Sequence, residues 1–407
     1  MAIQEKDGSV ERLGNIGRYL SGIFIGGIIL VFCSINYLLY YNQSISALTG
    51  SDLYTSDLLY YIYKAMGKEV PYQFPYPIFF QTIRLFHLFM SIENATAVAV
   101  TTFNTMSLLV LAFFLKQELG NKTLVGAVLI SCALHIASMC YLPGIRHVGG
   151  LTFRYIGVFS PNPWQNATYM ATRPFAIAAF FLLGRIYRKR KNDISIIDFV
   201  LFGVSMLLTT MTKPSFTLPM LGVCGVMLGW ILFVERITNK RMTIAWICSL
   251  LPTLLDMLYQ YKGVFGHASE DVEKGIGIGW FVSWRSVCQN IPVAVLLGIF
   301  CPIVVLVVYR KGDEIWNIAW ILYVVAFFMF AFLYEKGGRS RDLNFAWGYM
   351  HAQFFLLCVA ARRLFASKVD GEKMILRVPG ILAFFCHILC GGYYFIYIYF
   401  GGNFGAF

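Results

Sequence analysis

The run YLSGIFIGGIILVFCSINYLLYY, residues 19–41, carries no charged side chain and is long enough to cross a bilayer. Across all 407 residues, 58% are hydrophobic and only 13% are charged, about half the charged share of a soluble domain. A soluble fold of this length could not bury so much apolar surface, so the surrounding solvent must be lipid. Because helices satisfy their own backbone groups within each segment, the composition predicts an all-α polytopic membrane protein.

Further apolar segments bring the prediction to about eleven transmembrane helices, at 19–41, 95–115, 123–142, 167–186, 195–213, 216–234, 242–261, 291–310, 315–334, 345–363 and 378–400. The basic residues are concentrated in the loops that lie on the same side of the membrane as the N-terminus, and they include the cluster RIYRKRK at 185–191. The positive-inside rule therefore predicts a cytoplasmic N-terminus and an extracytoplasmic C-terminus. This asymmetry accounts for most of the net charge of +12, which requires no nucleic-acid partner.

The pattern predicts a single transmembrane domain over residues 1–407 with a long first outer loop at 42–94. In this loop, SDLYTSDLLYYIYKAMG (51–67) predicts a helix at headgroup level that begins near Asp52 and ends at Gly67. The prolines of VPYQFPYP (70–77) then break the chain, and IFFQTIRLFHLFMSI (78–92) predicts a second short apolar helix. The outer segments are longer than the inner ones, which indicates that binding or chemistry takes place on the outer face.

The order of one span, an acidic residue opening the outer loop, an interfacial helix and PYPIFF (75–80) resembles the GT-C superfamily of integral-membrane glycosyltransferases. FSPNPWQNATYMATRPF (159–175) and EKGGRSRDLNFAWGY (335–349) are similar to patterns in bacterial envelope-polysaccharide enzymes. The resemblance covers residues 1–215 as a catalytic core module and leaves 216–407 as variable C-terminal helices. The tandem Asp-Glu of several members is absent from this chain.

The resemblance implies an inverting glycosyltransferase of the bacterial plasma membrane with its active site facing outward. The donor would be a polyprenyl-phosphate sugar that enters from the membrane lipid, and the acceptor a glycan, lipid or protein. In the superfamily an aspartate of the first outer loop is the usual base, and the separation of Asp52 from Gly67 favours Asp52 over Asp57. Each aspartate also has a simpler interpretation, Asp52 as a helix N-cap and Asp57 as a surface neighbour of Lys64. No cofactor is expected and no divalent metal, since such donors usually need none.

Glycosyl transfer from a lipid phosphate also needs positive groups for the departing phosphate and contacts for the sugar. The candidates for the phosphate are Lys213, Arg339, Arg341, Arg146 and His147. The candidates for the sugar or acceptor are Trp164, Tyr60 and Asn344. Lys213 could instead snorkel to the interface, and the arginines near position 340 could form ordinary salt bridges with Glu335 or Asp342.

Three other functions are compatible with the sequence. One is an envelope-polysaccharide polymerase or ligase acting on lipid-diphosphate oligosaccharides, which would use the same basic residues. Another is a multi-pass transporter or lipid flippase, although the chain shows no internal repeat of the kind common in such folds. A purely structural scaffold is the third.

Overall fold

The computed structural model describes residues 2–71, 73–120, 123–142, 147–148, 151–152, 155–191, 195–236, 239–265, 275–310, 312–366 and 374–404. Its helices are α1 Ala2–Thr49, α2 Leu58–Ala65, α3 Ile78–His87, α4 Ile92–Glu118, α5 Leu124–Ile136, α6 Tyr155–Val158, α7 Ala167–Arg188, α8 Ile196–Thr212, α9 Thr217–Gly229, α10 Lys240–Phe265, α11 Val282–Arg285, α12 Ile291–Gly298, α13 Phe300–Tyr309, α14 Glu314–Phe332, α15 Ala346–Phe365 and α16 Val378–Tyr399. A π-helical turn, Trp230–Val234, extends α9, and 3₁₀ turns lie at Gly337–Arg339 and Met374–Arg377. Two antiparallel pairs complete the described part, β1 His147–Val148 with β2 Leu151–Thr152, and β3 Ile276–Ile278 with β4 Leu333–Glu335.

The prediction of a helical, multi-pass membrane protein is confirmed. Within the described residues, seven helices are long and apolar enough to cross a membrane: Gly17–Thr49, Ile92–Glu118, Ala167–Arg188, Thr217–Val234, Lys240–Phe265, Glu314–Phe332 and Ile375–Tyr399. The pair α12 and α13 adds an eighth if its 71° bend lies within one span. Each of the eleven predicted segments coincides with helix, but α5 and α8 are shorter than a full crossing. The count of eleven crossings stays a prediction.

The two ends of the bundle are distinguished by different contacts. At one end, Glu118 of α4 accepts hydrogen bonds from Arg188 of α7 at 2.7 Å and from Arg362 of α15 at 2.9 Å. At the other end, the backbone amide of Tyr54 donates to the carbonyl of Gly401 at 3.2 Å. The chain just after α16 therefore lies beside the segment of residues 50–57. Which end faces the cytoplasm stays a prediction from the positive-inside rule.

Helix α7 is the buried centre of the bundle and packs against α4 and α8. Its Arg173 is completely buried and donates from Nη2 to the carbonyl of Pro161 at 3.3 Å and to the Asn162 side chain. Asn162 in turn donates to the carbonyl of Leu134 at 2.9 Å, at the end of α5. These bonds hold the loop before α7 in place, and that loop ends at Asn166, the N-cap of the helix.

The first outer segment differs from its prediction. Helix α1 continues to Thr49 rather than ending near position 41, and Gly50 then turns the chain with φ of +71°. Helix α2 begins only at Leu58, because residues 50–57 bond to distant parts of the chain, as where the amide of Asp57 donates to the carbonyl of Gln165 at 3.1 Å. Asp52 is therefore not a helix N-cap. The predicted helix end at Gly67 and the second short helix, α3, are both present.

Helix α16 contacts the end of α5 through a glycine. A Cβ atom at Gly391 would lie 2.0 Å from the carbonyl oxygen of Ile136, whereas one at Gly392 would meet nothing within 4 Å. We expect Gly391→Ala to lower the free energy of unfolding by about 1 to 3 kcal/mol through overpacking. The matched variant Gly392→Ala should be neutral or slightly stabilising, since alanine favours helix. Thermal unfolding of the two purified variants measures the difference, and equal midpoints would contradict the close packing of α16 on α5.

Candidate functional site

A cavity of about 590 Å³ lies at the end of the bundle that holds the first outer segment. Its walls come from both halves of the chain, so the predicted core module 1–215 does not form it alone. The walls are the start of α2, the proline-rich loop before α3, the N-cap of α7, the junction of α8 and α9, the last turns of α10, β3, and the connection from β4 to α15. A cavity of this size is within the range of small-molecule sites in proteins.

Lys213 enters the cavity from the end of α8. The following Pro214 disfavours helical geometry in the residue before it, and Lys213 is accordingly extended, with φ of −170° and ψ of 125°. Its side chain is buried, with 7% of the residue exposed, and its Nζ lies 4.4 Å from the centre of the Trp347 ring. The ammonium group is thus held in the wall of the cavity rather than extended into bulk water.

Asn166 joins this lysine to an aspartate. Its Oδ1 accepts from the Lys213 Nζ at 2.9 Å, and its Nδ2 donates to Asp57 Oδ2 at 2.6 Å. Thr168 adds a second oxygen for the lysine at 3.2 Å, and its hydroxyl also lies 3.1 Å from that of Tyr61. The Asn166 amide therefore holds the Asp57 carboxylate and the Lys213 amine at neighbouring positions in the wall of the cavity.

Asp57 is half-buried, in the turn that precedes α2, with its carboxylate in the cavity wall. Burial raises the pKa of this carboxyl group above its ordinary value, while the charge of Lys213 and the hydrogen bond from Asn166 act to lower it. The net direction is upward. A carboxylate with a raised pKa is a stronger proton acceptor than an ordinary surface aspartate, as a general base requires.

A second group of charges lies on the connection from β4 to α15. The Nε of Arg339 lies 2.9 Å from Glu335 and 3.0 Å from Asp342, so this arginine forms the salt bridges that were the alternative to phosphate binding. Asn344 donates to Glu335 at 2.9 Å. Arg341 is exposed, lines the cavity, and has no hydrogen bond or ion pair with any described residue.

The structure brings together some of the predicted site residues and separates others. The cavity is lined by Asp57, Tyr60, Lys213, Arg339, Arg341 and Asn344. Asp52 is exposed outside this lining, and Trp164 is 1% exposed in the core, 4.8 Å from the Phe395 ring. The preference for Asp52 and the placement of Trp164 at a sugar site therefore find no support in the geometry. Arg146 lies outside the described residues, and only the backbone of His147 is described.

Asn166 and Glu335 are among the polar residues of the cavity that the sequence analysis did not assign to the site. The place of Asn166 just before an apolar helix indicates an N-cap, and its Oδ1 does accept from the amide of Tyr169 at 2.9 Å. Glu335 was considered only as a salt-bridge partner. Burial raises the pKa of Glu335, and Arg339 acts to lower it. No local signal showed that Glu335 and Asp57 share one cavity.

Within the described part of the chain, no group of three or more metal-ligating side chains is close enough to hold an ion. In comparison with known proteins, the chain matches no protein-family model and no curated sequence. The chemistry of the site is therefore argued from its own geometry.

The raised pKa of Asp57 has a consequence for stability. A carboxyl group whose pKa is higher in the folded state costs stability as the pH rises through that pKa, because the unfolded chain ionises more easily. We expect Asp57→Asn to gain stability over wild type as the pH rises from acidic to neutral. Unfolding midpoints across this range test it, with Asp52→Asn as the exposed control that should follow wild type. A difference that does not change with pH would contradict the burial of an ionisable Asp57.

Proposed function

We propose that the protein is an inverting membrane glycosyltransferase that moves a sugar from a polyprenyl-phosphate donor to a hydroxyl group of a glycan, lipid or protein acceptor. The observation that carries the proposal is the arrangement around Asn166, which holds Asp57 and Lys213 side by side in the wall of one cavity. The attack step of this reaction needs a base and the departure step needs a cation, and one cavity must supply both to opposite sides of the sugar.

In this mechanism, Asp57 accepts the proton of the acceptor hydroxyl while the hydroxyl oxygen attacks the anomeric carbon of the sugar. The bond from that carbon to the phosphate oxygen breaks, and its electron pair leaves with the lipid phosphate. Lys213 and Arg341, whose guanidinium has no described partner, stabilise the developing negative charge. Attack from the face opposite the phosphate inverts the anomeric configuration.

The position of the cavity supports a lipid-linked donor. The last turns of α10 supply Met257, Tyr261 and Val264 to the wall, and the same helix exposes Leu255 and Leu258 on its outer surface. An isoprenoid chain lying along α10 would thus present its phosphate to the cavity from within the bilayer. We propose further that the cavity opens on the outer side of a bacterial plasma membrane. The loops rich in lysine and arginine lie at the other end of the bundle, which the positive-inside rule places in the cytoplasm.

The decisive experiment measures transfer of radiolabelled sugar from a panel of polyprenyl-phosphate sugars, in membranes that contain the wild-type protein. Transfer from at least one donor, absent from membranes without the protein, is the expected result. Failure with every donor, together with substrate uptake or lipid flipping in sealed vesicles, would contradict the proposal and favour a transporter.

A polymerase or ligase that uses lipid-diphosphate oligosaccharides is the second candidate. It is favoured by Arg341, which adds a cation that has no partner among the described residues and lies in the same cavity as Lys213, where a second phosphate would meet it. Adding lipid-diphosphate oligosaccharides to the same panel separates the two enzymes. Transfer from the diphosphate donors alone would replace the first proposal with the second.

A further inference from the structure

A second large depression, separate from the cavity, lies between α8 and α10 and has a volume of about 660 Å³. The two helices touch at Gly203, where a Cβ atom would lie 2.6 Å from the carbonyl oxygen of Ser249, and they leave a groove along the contact. Its α8 side is a regular apolar stripe, because the lining residues of this helix fall at positions 196, 199, 200, 203, 204 and 207. This spacing keeps the whole stripe on one helix face.

The groove is apolar and open to its surroundings. Val200 is 56% exposed, Val204 48% and Ile244 61%. The hydroxyl of Ser249 donates to the carbonyl of Trp246 at 2.8 Å, so it offers no unsatisfied donor to a ligand. A long apolar depression of this kind is suited to a flexible hydrocarbon chain.

One charged residue lines the groove, and it lies at one end. Arg241, in the first turn of α10, is exposed and has no hydrogen bond or ion pair with any described residue. The charges nearest to this end along α7 and α8 are already paired, because Asp198 binds Arg185 at 3.1 Å and Lys189 at 3.0 Å. Among the described residues, none occupies the guanidinium of Arg241 at this end of the groove.

The length of the groove favours a lipid of one membrane leaflet as its occupant. From Ile196 to Leu207, and from Arg241 to Pro252, each helix rises about 16 Å. Half of a hydrocarbon core roughly 30 Å thick is about 15 Å, so the groove is one leaflet deep. We propose that it binds an anionic phospholipid, with an acyl chain between α8 and α10 and the phosphate on Arg241. This site is independent of the function proposed for the cavity.

Headgroup selectivity tests the proposal. The full-length protein is placed in nanodiscs of equal parts phosphatidylglycerol and phosphatidylcholine, and the lipids retained after detergent exchange are counted by native mass spectrometry. We expect wild type to retain phosphatidylglycerol about fivefold over phosphatidylcholine, the effect of one basic residue at a membrane surface. Arg241→Gln should bring the ratio close to one. Lys240→Gln is the matched control, since this neighbouring exposed cation does not line the groove, and it should keep the preference.

Photocrosslinking locates the lipid. A phosphatidylglycerol with a diazirine in its acyl chain should label residues 196–207 and 241–252 several-fold above the exposed face of α16 at Leu382, Phe385 and Leu389. Cys248→Trp should fill the groove and remove most of this excess. The proposal is overturned if labelling is even across these helices, if Cys248→Trp leaves it unchanged, or if Lys240→Gln and Arg241→Gln reduce the preference equally. A wild-type groove occupied by another protein's helix in place of lipid would overturn it as well.

Discussion

Replacing Asp57 with asparagine should lower sugar transfer by a factor of about 10² to 10⁴, the usual contribution of a positioned general base. Asparagine keeps the size of the side chain and can still accept the hydrogen bond from Asn166 through its amide oxygen, so the cavity should keep its shape. Only the ability to take a proton is lost. The measurement is the initial rate of transfer in membranes with equal amounts of each variant.

Asp52→Asn is the matched control for this experiment. Asp52 lies in the same outer segment but is exposed and outside the cavity lining, and we expect its variant to transfer sugar at close to the wild-type rate. The reverse outcome, loss in Asp52→Asn alone, would mean that the outer segment rearranges when the donor binds. Loss in Glu335→Gln with activity kept in Asp57→Asn would assign the base to Glu335, another carboxylate that lines the cavity.

Replacing Lys213 with glutamine should lower the rate of the chemical step by a factor of about 10² to 10³. Enzymes usually lose this much when one group that stabilises charge in the transition state is removed. The lysine is buried against Trp347 and bonded to Asn166, so the protein holds its amine in place. Burial lowers the pKa of Lys213 to about 7, against the charge of Asp57, and a developing negative charge beside the amine favours its protonated form. Glutamine can still donate to Asn166. Single-turnover transfer from a saturating donor separates this chemical effect from weaker donor binding.

Lys262→Gln is the control for the loss of a positive charge near the cavity but outside its lining. Lys262 lies in the last turn of α10, near the cavity, but is exposed and does not line it. Its variant should keep the wild-type rate, and a similar loss in both variants would indicate a general effect of positive charge on donor recruitment. A Lys213→Gln protein that keeps the wild-type single-turnover rate would remove this lysine from the mechanism.

The long apolar segments were predictable because the hydropathy of each segment is sufficient to indicate a helix in the membrane. Helices α4 and α14 coincide with predicted spans, since a segment in lipid must satisfy its backbone internally and exposes almost no charge. The grouping of Arg188, Arg362 and Glu118 at one end also follows from the predicted loops. These features depend on composition and on the order of segments along the chain.

The start of α2 could not be predicted in the same way. The pattern of residues 51–67 is helical in period, but hydrogen bonds from Asp57 to Gln165 and from Tyr54 to Gly401 compete with the first turns. Both partners are more than a hundred positions away. The shift of the helix start to Leu58 brings Asp57 into the cavity wall and leaves Asp52 outside it, although the resemblance to the GT-C superfamily favoured Asp52 as the base.

By itself, the sequence determined that this is a helical protein of the membrane, where its long helices lie, and that acidic and basic residues occur near the ends of spans. Those properties follow from hydropathy and backbone hydrogen bonding, which act locally. Only the tertiary structure decided that Asn166 joins Asp57 to Lys213, that Arg339 is held by Glu335 and Asp342, and that Trp164 belongs to the core. These outcomes depend on packing between distant segments, and no local pattern encodes which side chains that packing brings together.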